Sequence, residues 1–290
     1  MASEDVRRAQ IAGAVAGLVV GGGFAFVIGR MTALPSSSFG GPASTTAPVV
    51  ASATLTAAAP VSPSSLPLNS FPEVSFAQQG EDLVIKQIFA SLGISNATYL
   101  DVGAFDPVKD SNTYLSYALG SHGVLVEPNP GYAARLRKER PRDLVLEEGI
   151  GSTGETSADY YEFAEDEDNT FSKEQADKLV RLGMPIKSVV KMPLASINDV
   201  IAANFGGGSP SMLSIDTEGL DLAILKTLDF HRFRPAVVCV ETLEVGTRHV
   251  IDDIATFMRQ QGYAVRGGSF VNTIFVDEQA IARADAAKPK

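Results

Sequence analysis

Four carboxylates close four apolar runs in this chain. Asp101 lies in Tyr99-Leu100-Asp101-Val102-Gly103, Glu127 follows Val124-Leu125-Val126, Asp216 follows Met212-Leu213-Ser214-Ile215, and Glu241 follows the run 235–240. Short runs rich in Val, Ile and Leu read as buried strands. Where such strands lie parallel in one open sheet, their carboxyl ends share an edge, and ligands bind at that edge. Acids gathered there can accept hydroxyl hydrogen bonds, face a cationic ligand or take a proton from a reacting group. Each acid alone is equally well read as a solvated strand end; four at one edge are harder to dismiss.

Asp101 and Gly103 together form Asp-x-Gly at the end of a strand, with Ser111-Asn112-Thr113 opening a helical pattern after it. A glycine at that turn lets backbone approach a ligand with no Cβ in the way. Glu127 follows Gly103 by about two dozen residues, near the spacing at which an acid bonds ribose hydroxyls in dinucleotide sites. The phosphate-cradling Gly-x-Gly-x-x-Gly is missing, because Gly103 has no glycine partners. A site that takes an adenosine ribose without a pyrophosphate grip fits S-adenosylmethionine better than a nicotinamide cofactor.

These acids need a scaffold, and the pattern supplies one over residues 73–280. Helical spacing is read at 83–92, 113–119, 131–140, 173–182, 197–203, 220–228 and 250–261, with Asn129 as N-cap and Pro130 at the first helical position of the third. Strands are read at 97–102, 124–127, 144–146, 159–163, 189–194, 212–216, 235–240, 263–266 and 273–276. Alternating strands and helices predict an α/β fold with a doubly wound, mostly parallel sheet, its last two strands forming an antiparallel edge pair. The stretch 165–187 is polar and reads as an insertion with a short helix. Residues 281–290 read as a flexible tail.

Ahead of the domain, after a tail at 1–10, residues 11–29 are almost wholly apolar, long enough for a transmembrane helix and longer than the apolar core of a cleaved signal peptide. Gly13, Gly17, Gly21, Ala25 and Gly29 fall every fourth residue, a small-residue face that permits self-association. Residues 30–72 are rich in Ala, Ser, Thr and Pro and read as a disordered linker. Arg7 and Arg8 put the N-terminus on the cytosolic side, which would carry the domain away from the compartment where S-adenosylmethionine is made, so the side of the membrane stays open. A net charge of −10 argues against a nucleic-acid partner. The single cysteine, Cys239, excludes an internal disulfide and reads as a core side chain.

The domain resembles the FkbM-type methyltransferases, S-adenosylmethionine-dependent enzymes of the class I, Rossmann-like α/β fold. The marks are Phe76-Ala77-Gln78-Gln79-Gly80-Glu81-Asp82, Leu100-Asp101-Val102-Gly103-Ala104, Val126-Glu127-Pro128-Asn129-Pro130, and Ile215-Asp216-Thr217-Glu218-Gly219 with Leu225-Lys226. Two departures bear on the acceptor pocket: Ala77 stands where the family usually has Ser, and 165–187 has no assignable counterpart. The resemblance implies methyl transfer, commonly to a hydroxyl oxygen on a carbohydrate, lipid-linked or secondary-metabolite acceptor. It implies that Asp101, Gly103 and Ala104 frame the methionine part of the cofactor, that Glu127 takes the ribose, and that Gln79, Asn112 and Thr113 add contacts. Asp216 is the first choice for acceptor-side chemistry. Glu218 either joins it or caps the following helix. Glu241 reads as a base, with a magnesium site shared with Asp216 as the lesser alternative, so no metal is expected. His249, just after the last acid, is a further candidate base. A nicotinamide-dependent oxidoreductase and an inactive tethered binding domain are the competing readings.

Overall fold

The structure, a computed structural model, describes residues 73–244, 247 and 249–287. The tail 1–10, the apolar run 11–29 and the linker 30–72 lie outside the described residues. Among the described residues, no helix is long and apolar enough to cross a membrane.

In chain order the elements are α1 (Glu81–Leu92), β1 (Thr98–Val102), α2 (Tyr114–Ala118), β2 (His122–Val126), α3 (Pro130–Glu139), β3 (Leu144–Leu146), β4 (Gly149–Ile150), β5 (Ser157–Glu162), a 3-10 turn (Asp166–Asp168), α4 (Lys173–Arg181), β6 (Ser188–Ala195), α5 (Ile197–Asn204), β7 (Met212–Ile215), α6 (Asp221–Thr227), β8 (Val237–Glu241), α7 (Asp252–Gln260), β9 (Tyr263–Gly268), β10 (Asn272–Asp277) and α8 (Glu278–Ala287). The chain punctuation works locally. Asn129 Oδ1 accepts from Gly131 N at 2.9 Å with Pro130 at the first helical position, as the sequence predicts for α3. The C-terminal residues 281–287, read as tail, continue the helix α8, whose first turn buries Ala280.

Seven strands form one sheet in the order β3-β2-β1-β7-β8-β10-β9. The first five run parallel, and β10 and β9 close the sheet antiparallel. From β1 the chain winds outward to β2 and β3, then returns to lay β7 against the other side of β1. That reversal opens a crevice at the carboxyl ends of β1 and β7. The strands read at 159–163 and 189–194 do not join this sheet. As β5 and β6 they pair antiparallel, with β4 parallel to β6, in a separate three-stranded sheet. Their alternating burial leaves one face exposed, which a central strand of the main sheet would not tolerate.

Both faces of the main sheet are apolar. Leu100, Val102, Leu213, Ile215 and Val240 pack with α5, α6 and α7. The alternate positions Tyr99, Leu125, Met212, Cys239 and Ile274 pack with α1, α2 and α3. Side chains alternate along a strand, so the second set carries Asp101, Ser214, Asp216, Glu241 and Asn272 onto the α1 face. Cys239 is a buried core side chain, as its apolar neighbours suggest.

Candidate active site

The crevice at the switch point is a cavity of about 280 Å³, and Asp101, Glu127, Asp216 and Glu218 all line it. The acids at the ends of β1, β2 and β7 thus share one space. Glu241, at the end of β8, joins through Asp216 and Glu218: ligand-capable oxygens of these three lie within 4.8 Å of one another.

On one side the acids are held by the protein. Asp101 is 4% exposed and accepts at Oδ2 from the Thr113 hydroxyl at 2.6 Å. Burial pushes its carboxyl above the usual range, against the pull of Thr113 and of the Arg140 guanidinium. Asn112 Nδ2 donates to Ser214 Oγ at 3.3 Å, while its Oδ1 is enclosed and meets no donor. Glu127 accepts from Phe105 N at 2.8 Å and from Asn129 N at 2.7 Å, one bond to each oxygen. Burial raises its pKa to about 7 even so.

On the other side the acids are held by little. No ion pair among the described residues reaches Asp216, Glu218 or Glu241. Burial first, then repulsion from neighbouring carboxylates (Asp221 foremost for Asp216, and Asp216 for Glu218 and Glu241), raises all three above the carboxylate range. Glu218 sits in left-handed backbone at φ 52 and Gly219 follows at φ 101, so the chain turns sharply between β7 and α6. The turn is tied down by Asp221, which accepts from Thr217 N at 3.0 Å, Thr217 Oγ1 at 3.2 Å and Gly219 N at 3.3 Å. No side chain caps α6, whose N-terminal flank is Leu220, so Glu218 does not take the capping role and instead lines the cavity. From outside, Thr170 Oγ1 donates to Glu218 O at 2.8 Å, so the 165–187 segment clasps this turn. Its acidic 3-10 turn, Asp166–Asp168, also lines the cavity.

Four further expectations change. Gln79 does not line the cavity; its Oε1 accepts from Phe270 N at 2.8 Å and steadies the β9–β10 connection. Gln78 lines the cavity instead. Thr113 is fully buried behind Asp101 and acts through it. Gly103 is a glycine for a different reason than ligand approach. A Cβ there would stand 1.8 Å from the Asp216 carbonyl oxygen, and its φ is +81°. Gly103 N and Ala104 N both donate to Val126 O, at 3.0 and 3.2 Å, so these amides brace the β1–β2 join while their residues line the cavity. His249 is exposed and is not among the lining residues.

Some participants were not singled out from the sequence. Ser214 had a signal: a polar residue two before Asp216 in an apolar strand must share its face. Asn272 sits opposite Glu241 in the β8–β10 register and had no comparable signal, since its role depends on a pairing set by topology.

The Methyltransferase FkbM domain matches residues 101–265. Among solved structures, a TehB-like SAM-dependent methyltransferase from Corynebacterium glutamicum is 10% identical, covering 69% of this chain and 88% of that one with a TM-score of 0.37. A putative caffeoyl-CoA O-methyltransferase from Staphylococcus aureus is 12% identical, covering 72% and 87% with a TM-score of 0.39. None of the curated proteins matches. The matched stretch begins on Asp101 and takes in Glu127, Asp216 and Glu241, so most of the cavity's chemistry lies inside it, and the chain belongs to the FkbM methyltransferase family.

Proposed function

We propose that the domain transfers a methyl group from S-adenosylmethionine to a hydroxyl oxygen of a carbohydrate, lipid-linked or secondary-metabolite acceptor. The observation that carries this reading is the division of one cavity between two sets of acids. Asp101 and Glu127 are fixed by hydrogen bonds, as a binding surface requires. Asp216, Glu218 and Glu241 are crowded and lack a basic partner, as groups that meet a reacting proton require.

The residues present fit the cofactor. The enclosed Asn112 Oδ1 has no donor among the described residues, and a ligand ammonium would supply one beside Asp101. A carboxylate has about four acceptor positions, so Glu127, with one backbone N–H on each oxygen, keeps room for two ribose hydroxyls. S-adenosylmethionine supplies, when bound, an electrophilic methyl group on a positively charged sulfur. The chain's own task is then to place the acceptor and remove its proton. Asp216 lines the cavity at the end of β7 and accepts that proton, with Glu241 behind it as the group to which charge can pass. Acids raised toward neutral pKa are better bases than ordinary carboxylates.

The acidic rim at Asp166–Asp168 and the net charge of −10 favour neutral acceptors over phosphate-rich ones such as nucleic acid. The apolar run 11–29 serves in this reading as a single membrane anchor with a small-residue face for self-association, and 30–72 as its tether. The test is calorimetric titration of S-adenosylhomocysteine into a fragment starting near residue 70, beside its Asp101→Ala and Glu127→Ala variants. Micromolar binding lost in both variants is the expected result. A well-folded parent that does not bind sinks the reading, and NAD is then the next ligand to titrate.

A further inference from the structure

We infer that Asp216, Glu218 and Glu241, together with the carboxamide oxygen of Asn272, hold one hard divalent cation (magnesium, manganese or calcium) on the acceptor side of the cavity. The sequence offered a magnesium site at Asp216 and Glu241 only as the lesser alternative to a base. Two independent observations favour the cation.

The first is the geometry of the acids. One oxygen from each of the three lies within 4.8 Å of the others. Opposed ligands of one cation stand about twice a bond apart, roughly 4.2 Å for magnesium and about 4.8 Å for calcium. The cluster fits inside one coordination shell without rearrangement of the fold. No Lys or Arg among the described residues pairs with any of the three, so no basic side chain among them offsets this carboxylate cluster. The donor set is all carboxylate and carbonyl oxygen, with neither sulfur nor imidazole, which selects magnesium, manganese or calcium over zinc or copper.

The second observation is Asn272. It is 3% exposed, stands directly opposite Glu241 in the antiparallel β8–β10 pair, and lines the cavity with Asp216 and Glu218. Directly opposed residues put their side chains on the same face, so Asn272, Glu241 and Asp216 form a row across β10, β8 and the end of β7. Its amide orientation is fixed chemically: Nδ2 donates to Glu81 Oε1 at 2.9 Å, and a carboxylate cannot be the partner of a carboxamide oxygen. Oδ1 is thereby left enclosed with no donor. A buried oxygen that meets no hydrogen-bond donor is costly unless something positive faces it. A cation in the acid cluster satisfies Oδ1 and the three carboxylates at once.

Binding of the cation stands independently of the reaction. Its role, holding the acceptor oxygen and lowering the pKa of the acceptor hydroxyl, rests on the methyl-transfer reading above. The test uses the full chain, stripped with a chelator and titrated with Mn²⁺ while free Mn²⁺ is read by electron paramagnetic resonance. S-adenosylhomocysteine binding is measured calorimetrically on the same preparation. The expected result is one Mn²⁺ per chain, displaced by Mg²⁺ or Ca²⁺. Affinity should fall by roughly tenfold or more in Glu241→Gln and in Asn272→Ala, with Glu218→Gln as a third variant should either fail to fold. A chain with an intact cooperative melt that leaves all Mn²⁺ free at millimolar concentration overturns the inference. So does Mn²⁺ binding of unchanged affinity in the folded variants. Manganese binding without S-adenosylhomocysteine binding would remove the methyl-transfer reading and leave the cation site standing.

Discussion

The Thr113 hydroxyl stands between a buried arginine and the acid at the head of the cavity: it donates to Asp101 Oδ2 at 2.6 Å and accepts from Arg140 Nη2 at 3.0 Å. Arg140 is fully enclosed and pairs with the equally enclosed Asp143 at 2.8 Å. The Tyr99 hydroxyl takes a further bond from Arg140 Nη2 at 3.0 Å. The guanidinium that follows α3 thus fixes the orientation of a cavity acid through one intervening hydroxyl.

Thr113→Val keeps the shape and removes that hydroxyl. Asp101 loses its one strong donor and Arg140 loses an acceptor, so S-adenosylhomocysteine affinity should fall about tenfold, the worth of one hydrogen bond to a charged group. Thr113→Ser should restore most of it. Calorimetry reads both, and unchanged affinity in the valine variant would show that Asp101 orientation does not matter to the cofactor.

Arg140→Met should act on stability instead. It strands Asp143 as a buried charge without its partner, a change that costs about 3–5 kcal/mol. Denaturant unfolding of the domain should show a clear loss, and a double variant with Asp143→Asn should recover part of it. A stability loss under 1 kcal/mol would mean that the enclosed network holds little of the fold.

Glu127 should give binding and stability opposite pH dependences. Its folded pKa is raised from 4.5 to about 7 by burial. A raised pKa means the folded state holds the proton more tightly, so the associated stability is fully present below 4.5 and is lost as pH rises through about 7. The ribose hydroxyls, however, need the ionised acceptor. Cofactor affinity should therefore rise between pH 6 and pH 8, while this contribution to unfolding stability falls over the same interval. Glu127→Gln should bind more weakly and flatten both profiles. An affinity profile in the variant that still climbs across neutral pH would assign the titration to another group.

Gly103→Ala is expected to be severe. The added methyl would meet the Asp216 carbonyl oxygen at 1.8 Å, in backbone at φ +81°. Relief requires moving β1 away from the end of β7, at a cost of about 3 kcal/mol or more. The melting temperature should drop sharply and cofactor binding should weaken with it. An unchanged melt would show that this turn can relax freely.

Asp221→Ala removes three hydrogen bonds to the Thr217–Gly219 turn. The turn carries Asp216 on one side and Glu218 within it, while Asp101 and Glu127 lie on other strands. Methyl transfer to a supplied acceptor should fall well beyond the effect on S-adenosylhomocysteine affinity. Equal losses in both would place the turn in cofactor binding instead.

Which acids gather at this edge of the sheet was readable in outline. Asp101, Glu127, Asp216 and Glu241 each close an apolar run, and parallel strands bring their ends to one edge whatever the details of the loops. The class of fold follows from the same local signals, as do Asn129 and Pro130 at the start of α3, because alternation, capping residues and helix spacing act over a few neighbours. Asp221 was missed because its role is to tie down the Thr217–Gly219 turn, and that role depends on the left-handed backbone at Glu218 and Gly219, which local periodicity does not show.

The sequence by itself determined most of the strands (all but the two-residue β4), most of the helices and the identity of the strand-end acids, since these depend on short-range periodicity and on where apolar runs stop. Tertiary structure alone decided what each polar residue near the edge does. Gln79 went to the β9–β10 connection, Arg140 went behind Asp101, and Gly103 proved necessary because Asp216 passes within contact of it. Asn272 reached the acids only through antiparallel pairing with β8, and the 165–187 segment reached the cavity only through its own small sheet. Contacts between residues far apart in the chain depend on strand order and register, which local patterns constrain only weakly.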